Sequence, residues 1–173
     1  MRRARDVIGL PVMCLESGKQ AGEVKDLLLD EKWLVRMLLL ETKHWYSDPM
    51  CIRAEDVAAL GEDAVMIPCE EVIAGLPEEV PYRSLICGDC KVKGIPVLTA
   101  NGRELGIVED VYLQADQGIK VIGYELSEGF LTDLREGRKW LPLPDSVKAG
   151  EDVLIVPVHA SDTLQEIFES KEE

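Results

Sequence analysis

Few residues in this chain have the types and spacing that chemistry requires. Cys87-Gly88-Asp89-Cys90 is the sharpest local feature. A Cys-x-x-Cys pair can act as a redox dithiol or supply half of a tetrahedral zinc site. A redox pair of the thioredoxin kind wants a helix N-terminus after a strand, whereas this pair sits in a linker running into a strand. A zinc site needs two more ligands from Cys14, Cys51, Cys69, His44 and His159, and none of these repeats the paired spacing. A second candidate is His44-Trp45-Tyr46, which reads either as a recognition surface or as a loop plugging the end of a β-barrel. Trp140 follows Arg138 and Lys139 at a comparable place in the second half, and such a basic-aromatic patch can stack single-stranded nucleic acid. Asp26 and Asp110 read as catalytic carboxylates or as structural acceptors of backbone N–H groups that fix a strand turn. With two histidines and no P-loop, dinucleotide fingerprint, HExxH or G-x-S-x-G, the chain has little general acid–base equipment and no cofactor motif.

The surrounding composition narrows the classes. The formal net charge is -14, split evenly: 9 basic and 16 acidic side chains to residue 80, then 10 and 17. A general phosphate-backbone binder should be basic, so direct nucleic-acid binding is not expected, although a local patch remains compatible with the charge. Hydrophobic residues make up 46% of the chain and aromatics 5%, which predicts folded cores built from aliphatic side chains. The opening MRRARDVIGLPVMCL puts basic residues before a short apolar run. Gly9 and Pro11 break that run and Glu16 ends it, so it reads as no signal peptide. The next run, Leu34–Glu41, is interrupted by Arg36 and is too short to span a bilayer. Five cysteines at irregular spacing do not suggest a secreted disulfide framework. The expectation is a soluble, cytoplasmic protein.

The elements that would position these residues occur twice. GLPVMCLESGKQAGEVKDLLLD (Gly9–Asp30) lies over GIPVLTANGRELGIVEDVYLQ (Gly94–Gln114). Gly18, Gly22, Val24 and Asp26 thereby match Gly102, Gly106, Val108 and Asp110. Val35–Glu41 lies over Ile119–Glu125, and GEDAVMIP (Gly61–Pro68) over GEDVLIVP (Gly150–Pro157). A shared order of landmarks marks a duplication. Each copy predicts opening strands at Val12–Leu15 and Pro96–Ala100, with turns at Gly18 and Gly102. Gly22 and Gly106 avoid a Cβ clash or permit a bulge where the next strand begins. Strands then follow at Glu23–Leu29 and Ile107–Leu113, at Leu34–Glu41 and Ile119–Leu126, at Met50–Ile52 and Lys139–Leu141, and at Ala64–Ile67 and Val153–Val156. The continuously apolar Met37–Leu40 suggests burial on both faces against the other copy. Glu70–Ala74 has helical potential. In the tail, Leu164, Ile167 and Phe168 at helical spacing predict a short docked C-terminal helix. The fold class is mainly β: two tandem small barrels at 1–76 and 91–173, joined by a linker at 77–90.

SGKQAGEVKDLLL and NGRELGIVEDVYL resemble the opening of the PRC-barrel domains, in which a glycine turn leads to an apolar residue, glycine, x-Val, x-Asp and an apolar run. Gly18, Gly22, Val24 and Asp26 carry the resemblance in the first copy, with Ala21 where a larger apolar residue is usual. Gly102, Leu105, Gly106, Val108 and Asp110 carry it in the second. The two-domain plan resembles the tandem bacterial YrrD-like group. More distant likenesses are the cytoplasmic domain of the reaction-centre H subunit and the C-terminal domain of the ribosome maturation factor. The resemblance implies no catalytic residues and no cofactor. The leading functional expectation is a non-enzymatic adaptor or assembly module with a protein partner, a second copy of the chain included. A metal- or redox-responsive protein using Cys87 and Cys90, and an RNA-processing or ribosome-assembly accessory factor, are the alternative readings.

Overall fold

A computed structural model describes residues 1–41, 48–128 and 138–167. The chain opens with a short strand β1 (Arg2–Arg3) and a 3-10 turn at Ala4–Asp6. The first module follows as β2 (Pro11–Cys14), β3 (Gln20–Leu29), β4 (Val35–Glu41), β5 (Met50–Arg53), β6 (Ala59–Leu60), β7 (Val65–Ile67) and β8 (Ile73–Gly75). Within 77–90, read from sequence as linker, lies β9 (Arg83–Ser84). The second module repeats the order: β10 (Pro96–Thr99), β11 (Glu104–Ala115), β12 (Ile119–Ser127), β13 (Lys139–Pro142), β14 (Lys148–Ala149), β15 (Leu154–Val156) and β16 (Gln165–Glu166).

The two sheets have one topology. Strand order is β6-β7-β2-β3-β4-β5-β8 in the first and β14-β15-β10-β11-β12-β13-β16 in the second. All pairings are antiparallel except β2 with β7 and β10 with β15. The long strands bend at matched irregularities. Between β2 and β3 the register skips Ala21, and between β10 and β11 it skips Leu105. Each bulge sits beside the motif glycine, where another backbone passes close. A Cβ on Gly22 would stand 2.9 Å from the Glu41 carbonyl oxygen, and one on Gly106 2.7 Å from that of Ser127. Only glycine lets the strands approach this closely.

These registers correct the sequence alignment of the third strands. Glu23 faces Glu41, and its counterpart Ile107 faces Ser127; Leu27 faces Leu38, and Val111 faces Tyr124. Glu41 therefore corresponds to Ser127, and Leu39 to Glu125. The hairpin of the second module is two residues longer, and the expected superposition of Val35–Glu41 on Ile119–Glu125 slips by those two residues. Burial along β4 alternates, with Leu38 and Leu40 inside and Leu39 half-exposed, so Met37–Leu40 is not sandwiched between the copies. Glu70–Ala74 forms one 3-10 turn, Glu70–Val72, and then enters β8.

The chain end also differs from expectation. The short C-terminal helix is a 3-10 turn at Val158–Thr163, ahead of the apolar stripe. Leu164 is already extended, β16 pairs with β13, and the Ile167 N–H bonds the Arg138 carbonyl. Pairing to an open sheet edge satisfies the backbone of this segment in place of a helix. Phe168 lies outside the described residues. No helix among the described residues is long and apolar enough to cross a membrane.

A polar and aromatic seam between exchanged arms

The segment before each module docks on the other module. β1, which precedes the first module, pairs with β11, Arg2 facing Leu113 and Arg3 facing Tyr112. β9, which precedes the second, pairs with β3, Arg83 facing Leu29 and Ser84 facing Leu28. Since Leu28 and Leu29 are the repeat equivalents of Tyr112 and Leu113, the two arms are related by a local two-fold. The details repeat. Arg2 donates to the carbonyl of Gly61 (2.7 Å), and Arg83 to that of Gly150, the matching turn residue (2.5 Å). Leu34 and Lys120, equivalent by register, form an antiparallel bridge with each other, as residues on a two-fold must. Beside them Trp33 crosses into the second module, packs edge-on against Tyr124 at 5.3 Å, and joins one core cluster drawn from both modules.

Asp26 and Asp110 hold the arms. Asp26 is fully buried and accepts N–H bonds from its neighbour Leu27 (2.7 Å) and, across the seam, from Ile86 (3.1 Å) and Cys87 (3.0 Å). Asp110 accepts from Val111 (2.8 Å) and, at longer range, from Arg5 (3.4 Å), whose guanidinium lies 3.7 Å away. Both accept backbone N–H groups, but the distant donors belong to the other module's arm and not to a turn. Gly18 and Gly102 stand in tight turns with φ of 66° and 87°. Cys87 and Cys90 are free, and Cys90 is exposed. Burial and then the charge of Asp26 push the Cys87 thiol up, the opposite of what a nucleophilic or metal-binding thiolate requires. Among the described residues no group of three or more His, Cys, Asp or Glu side chains could hold a metal ion. His44, Trp45 and Tyr46 lie outside the described residues.

The modules differ chemically along one stripe of the second. Glu125 stands where the first module has Leu39, Trp140 where it has Cys51, Gly123 where it has Met37 and Tyr112 where it has Leu28; on the arm, Arg3 takes the place of Ser84. These substitutions fit one another. The Trp140 indole lies over Gly123, where any side chain would collide with the ring. It meets Tyr112 edge-on at 4.6 Å. The Arg3 guanidinium lies over the Tyr112 ring at 5.7 Å, donates to its hydroxyl at 3.2 Å and pairs with Glu125 at 3.5 Å. Arg138 binds the other oxygen of Glu125 at 3.0 Å. Glu125 is 1% exposed and faces Asp110, 7% exposed, across the β11–β12 ladder. Burial, together with the facing Glu125 charge, pushes the Asp110 carboxyl up to about 6 against the N–H of Val111. Beside this pair the seam opens into a cavity of about 280 Å³, bordered by both arms.

The sequence reading singled out Trp140 and both aspartates, which the structure places along the seam, and did not single out Arg3, Arg5, Tyr112 and Glu125 beside them. The signal for Glu125 was the correct strand register, which exchanges an apolar Leu39 for a buried acid. Arg3 and Arg5 lie ahead of the repeat and read from sequence as a basic leader.

Comparison with known proteins agrees with this geometry. The chain is 25% identical over 160 residues to "Uncharacterized protein YrrD" of Bacillus subtilis (strain 168), covering 90% of this chain and 87% of that one. The family model for the PRC-barrel domain matches twice, over residues 1–75 and 88–162. With both modules matched, this chain belongs to the PRC-barrel domain family.

Proposed function

We propose that the protein is a non-enzymatic adaptor that presents the half-buried Trp140 and Arg3, set over the buried polar stripe of its second module, to a protein partner. One observation carries the reading. The same backbone is built twice, once with Ser84, Leu28, Leu39, Cys51 and Met37 and once with Arg3, Tyr112, Glu125, Trp140 and Gly123. The first set is enough to make the fold. The second set adds a buried charge network, which costs desolvation that aliphatic residues avoid. It also brings together Trp, Tyr and Arg, the residue types that dominate binding hot spots. The shared core and exchanged arms support a stiff platform for such a surface. The family match and the relative bring no catalytic assignment. The raised Cys87 thiol lends no support to a redox or metal-responsive role, and the charge of -14 lends none to general RNA binding.

The test is affinity capture from lysate at physiological salt, using the full chain and its Trp140→Ala variant, with Arg53→Ala on the exposed surface of the first module as control. A stoichiometric partner held by the wild type and the control, and lost from a folded Trp140→Ala protein, is expected. Identical capture by all three would overturn the proposal.

A further inference from the structure

We propose that the open edge of β8 in the first module is a docking strand for an extended, basic segment of another protein. This surface is separate from Trp140, which lies on the second module.

The main path of each sheet ends in two edge strands, β6 and β8 in the first and β14 and β16 in the second. An open edge presents unpaired N–H and C=O groups that another chain can take up, and charged side chains guard against this. Three of the four ends carry such charges. At β6, Arg2 donates to the Leu60 and Gly61 carbonyls at 3.3 and 2.7 Å. β14 carries Lys148, and Arg83 donates to the Gly150 carbonyl beside it. β16 carries Glu166. β8 is Ile73-Ala74-Gly75, with no charge, and its Ala74 and Gly75 are exposed. A Cβ on Gly75 would meet nothing within 4 Å, so neighbouring side chains leave the strand clear.

The register says which backbone groups the edge offers. Gly75 faces Met50, Ala74 faces Cys51 and Ile73 faces Ile52, and the Leu76 N–H donates to the Pro49 carbonyl. Hydrogen-bonded pairs alternate along an antiparallel ladder. Ala74 therefore turns its N–H and C=O inward to Cys51, while Gly75 turns both outward. The Ile73 carbonyl points outward as well; its N–H is held by the Glu70 carbonyl. Among the described residues the Gly75 carbonyl meets only the Cys51 thiol, a weak donor at 3.9 Å. Outward N–H and C=O groups on one short run are what an added strand pairs with.

The flanks choose the partner. Glu70 and Glu71 precede the strand and Glu78 and Glu79 follow it; all four are exposed and have no ion pair among the described residues. A second copy adding its own β8 antiparallel about Ala74 would set Glu70 opposite Glu78 at both ends, and like charges opposite one another destabilise a pair. A segment with an apolar centre and Lys or Arg on both sides answers the acids in either strand direction. The chain's net charge of -14 steers the same encounter.

The experiment follows the Gly75 amide by NMR hydrogen exchange in the full chain. The probe is a capped peptide with a Val-Thr-Val-Thr-Val centre and two lysines at each end. Its controls replace the lysines with glutamates, or the threonines with prolines that cannot pair. Exchange at Gly75 should slow about tenfold at a lysine-peptide concentration of about ten times its Kd, and stay unchanged with both controls. Gly75→Pro removes an N–H that faces away from β5 and should abolish binding. Glu78→Lys with Glu79→Lys, outside both sheets, should weaken binding with the fold intact, and Trp140→Ala should leave it unchanged. Unaltered Gly75 exchange at millimolar lysine peptide, or equal binding by either control, would overturn the proposal. So would Gly75 protection that grows with protein concentration in the absence of peptide, which assigns the edge to a second copy. The adaptor reading would survive each of these failures, because it stands on partner capture through Trp140.

Discussion

Replacing Asp26 with alanine should destabilise the protein by about 3–5 kcal/mol, and replacing Asp110 should cost much less. The difference follows from the donors each carboxylate serves. Asp26, fully buried, accepts three backbone N–H groups at 2.7–3.1 Å, two of them from the arm at Ile86 and Cys87. Removing it strands those donors, at roughly 1–3 kcal/mol for each buried donor, with the half-buried Ile86 and Cys87 at the low end. Asp110 serves one short bond and one of 3.4 Å, and burial opposes its ionised form. Its removal should therefore cost only about 1–2 kcal/mol, because it also relieves the repulsion from Glu125. The assay is urea unfolding followed by tryptophan fluorescence, with the midpoint falling at constant m-value. Hydrogen exchange should show the amides of Ile86 and Cys87 losing protection first in the Asp26 variant. Asp26→Asn keeps one acceptor oxygen and should fall between wild type and alanine, which preserves the ranking if alanine is too unstable to measure. An Asp26→Ala cost below about 1 kcal/mol, or one matched by Asp110→Ala, would refute this account of the arm clamps.

Three other outcomes follow from the packing and the charges. Trp33→Ala should cost about 3–5 kcal/mol, since it empties the junction against Tyr124; the urea midpoint reads it. Tyr124→Phe should be neutral or stabilising by up to about 1 kcal/mol, because the Tyr124 hydroxyl is buried with no partner among the described residues. For pH, the Asp110 carboxyl is raised in the folded state, so the native protein holds a proton that the unfolded chain releases. Its stabilising contribution is complete below the ordinary aspartate value and is lost as pH rises through about 6. Urea midpoints from about pH 4 to about pH 7 should thus show a fall that is absent in Asp110→Asn.

The duplication was legible because its landmarks are local. Turn glycines, the bulge glycines Gly22 and Gly106, and the alternation of Val24 and Val108 each report on a few neighbouring residues. The seam was not, because it is non-local. β1 carries two residues and no periodicity, and its partner Tyr112 lies more than a hundred positions away. The hairpin turns differ by two residues, and the conspicuous Glu41 and Glu125 invite an alignment that only the ladder register overturns. Asp26 and Asp110 were visible as paired acids, but which N–H groups they accept depends on arms that precede each repeat. Trp140 was visible by type, while its seat on Gly123 required the β12–β13 pairing.

The central claim is that the exchanged arms make the two modules one body, and cutting the chain between them tests it most directly. Pro77, Glu78 and Glu79 are exposed between β8 and β9, outside both sheets, and accept a specific protease site there. After complete cleavage, native mass spectrometry and size-exclusion chromatography should show the two fragments still bound at the intact mass, unfolding in a single transition. Fragments that separate under native conditions, or that melt independently, would contradict it.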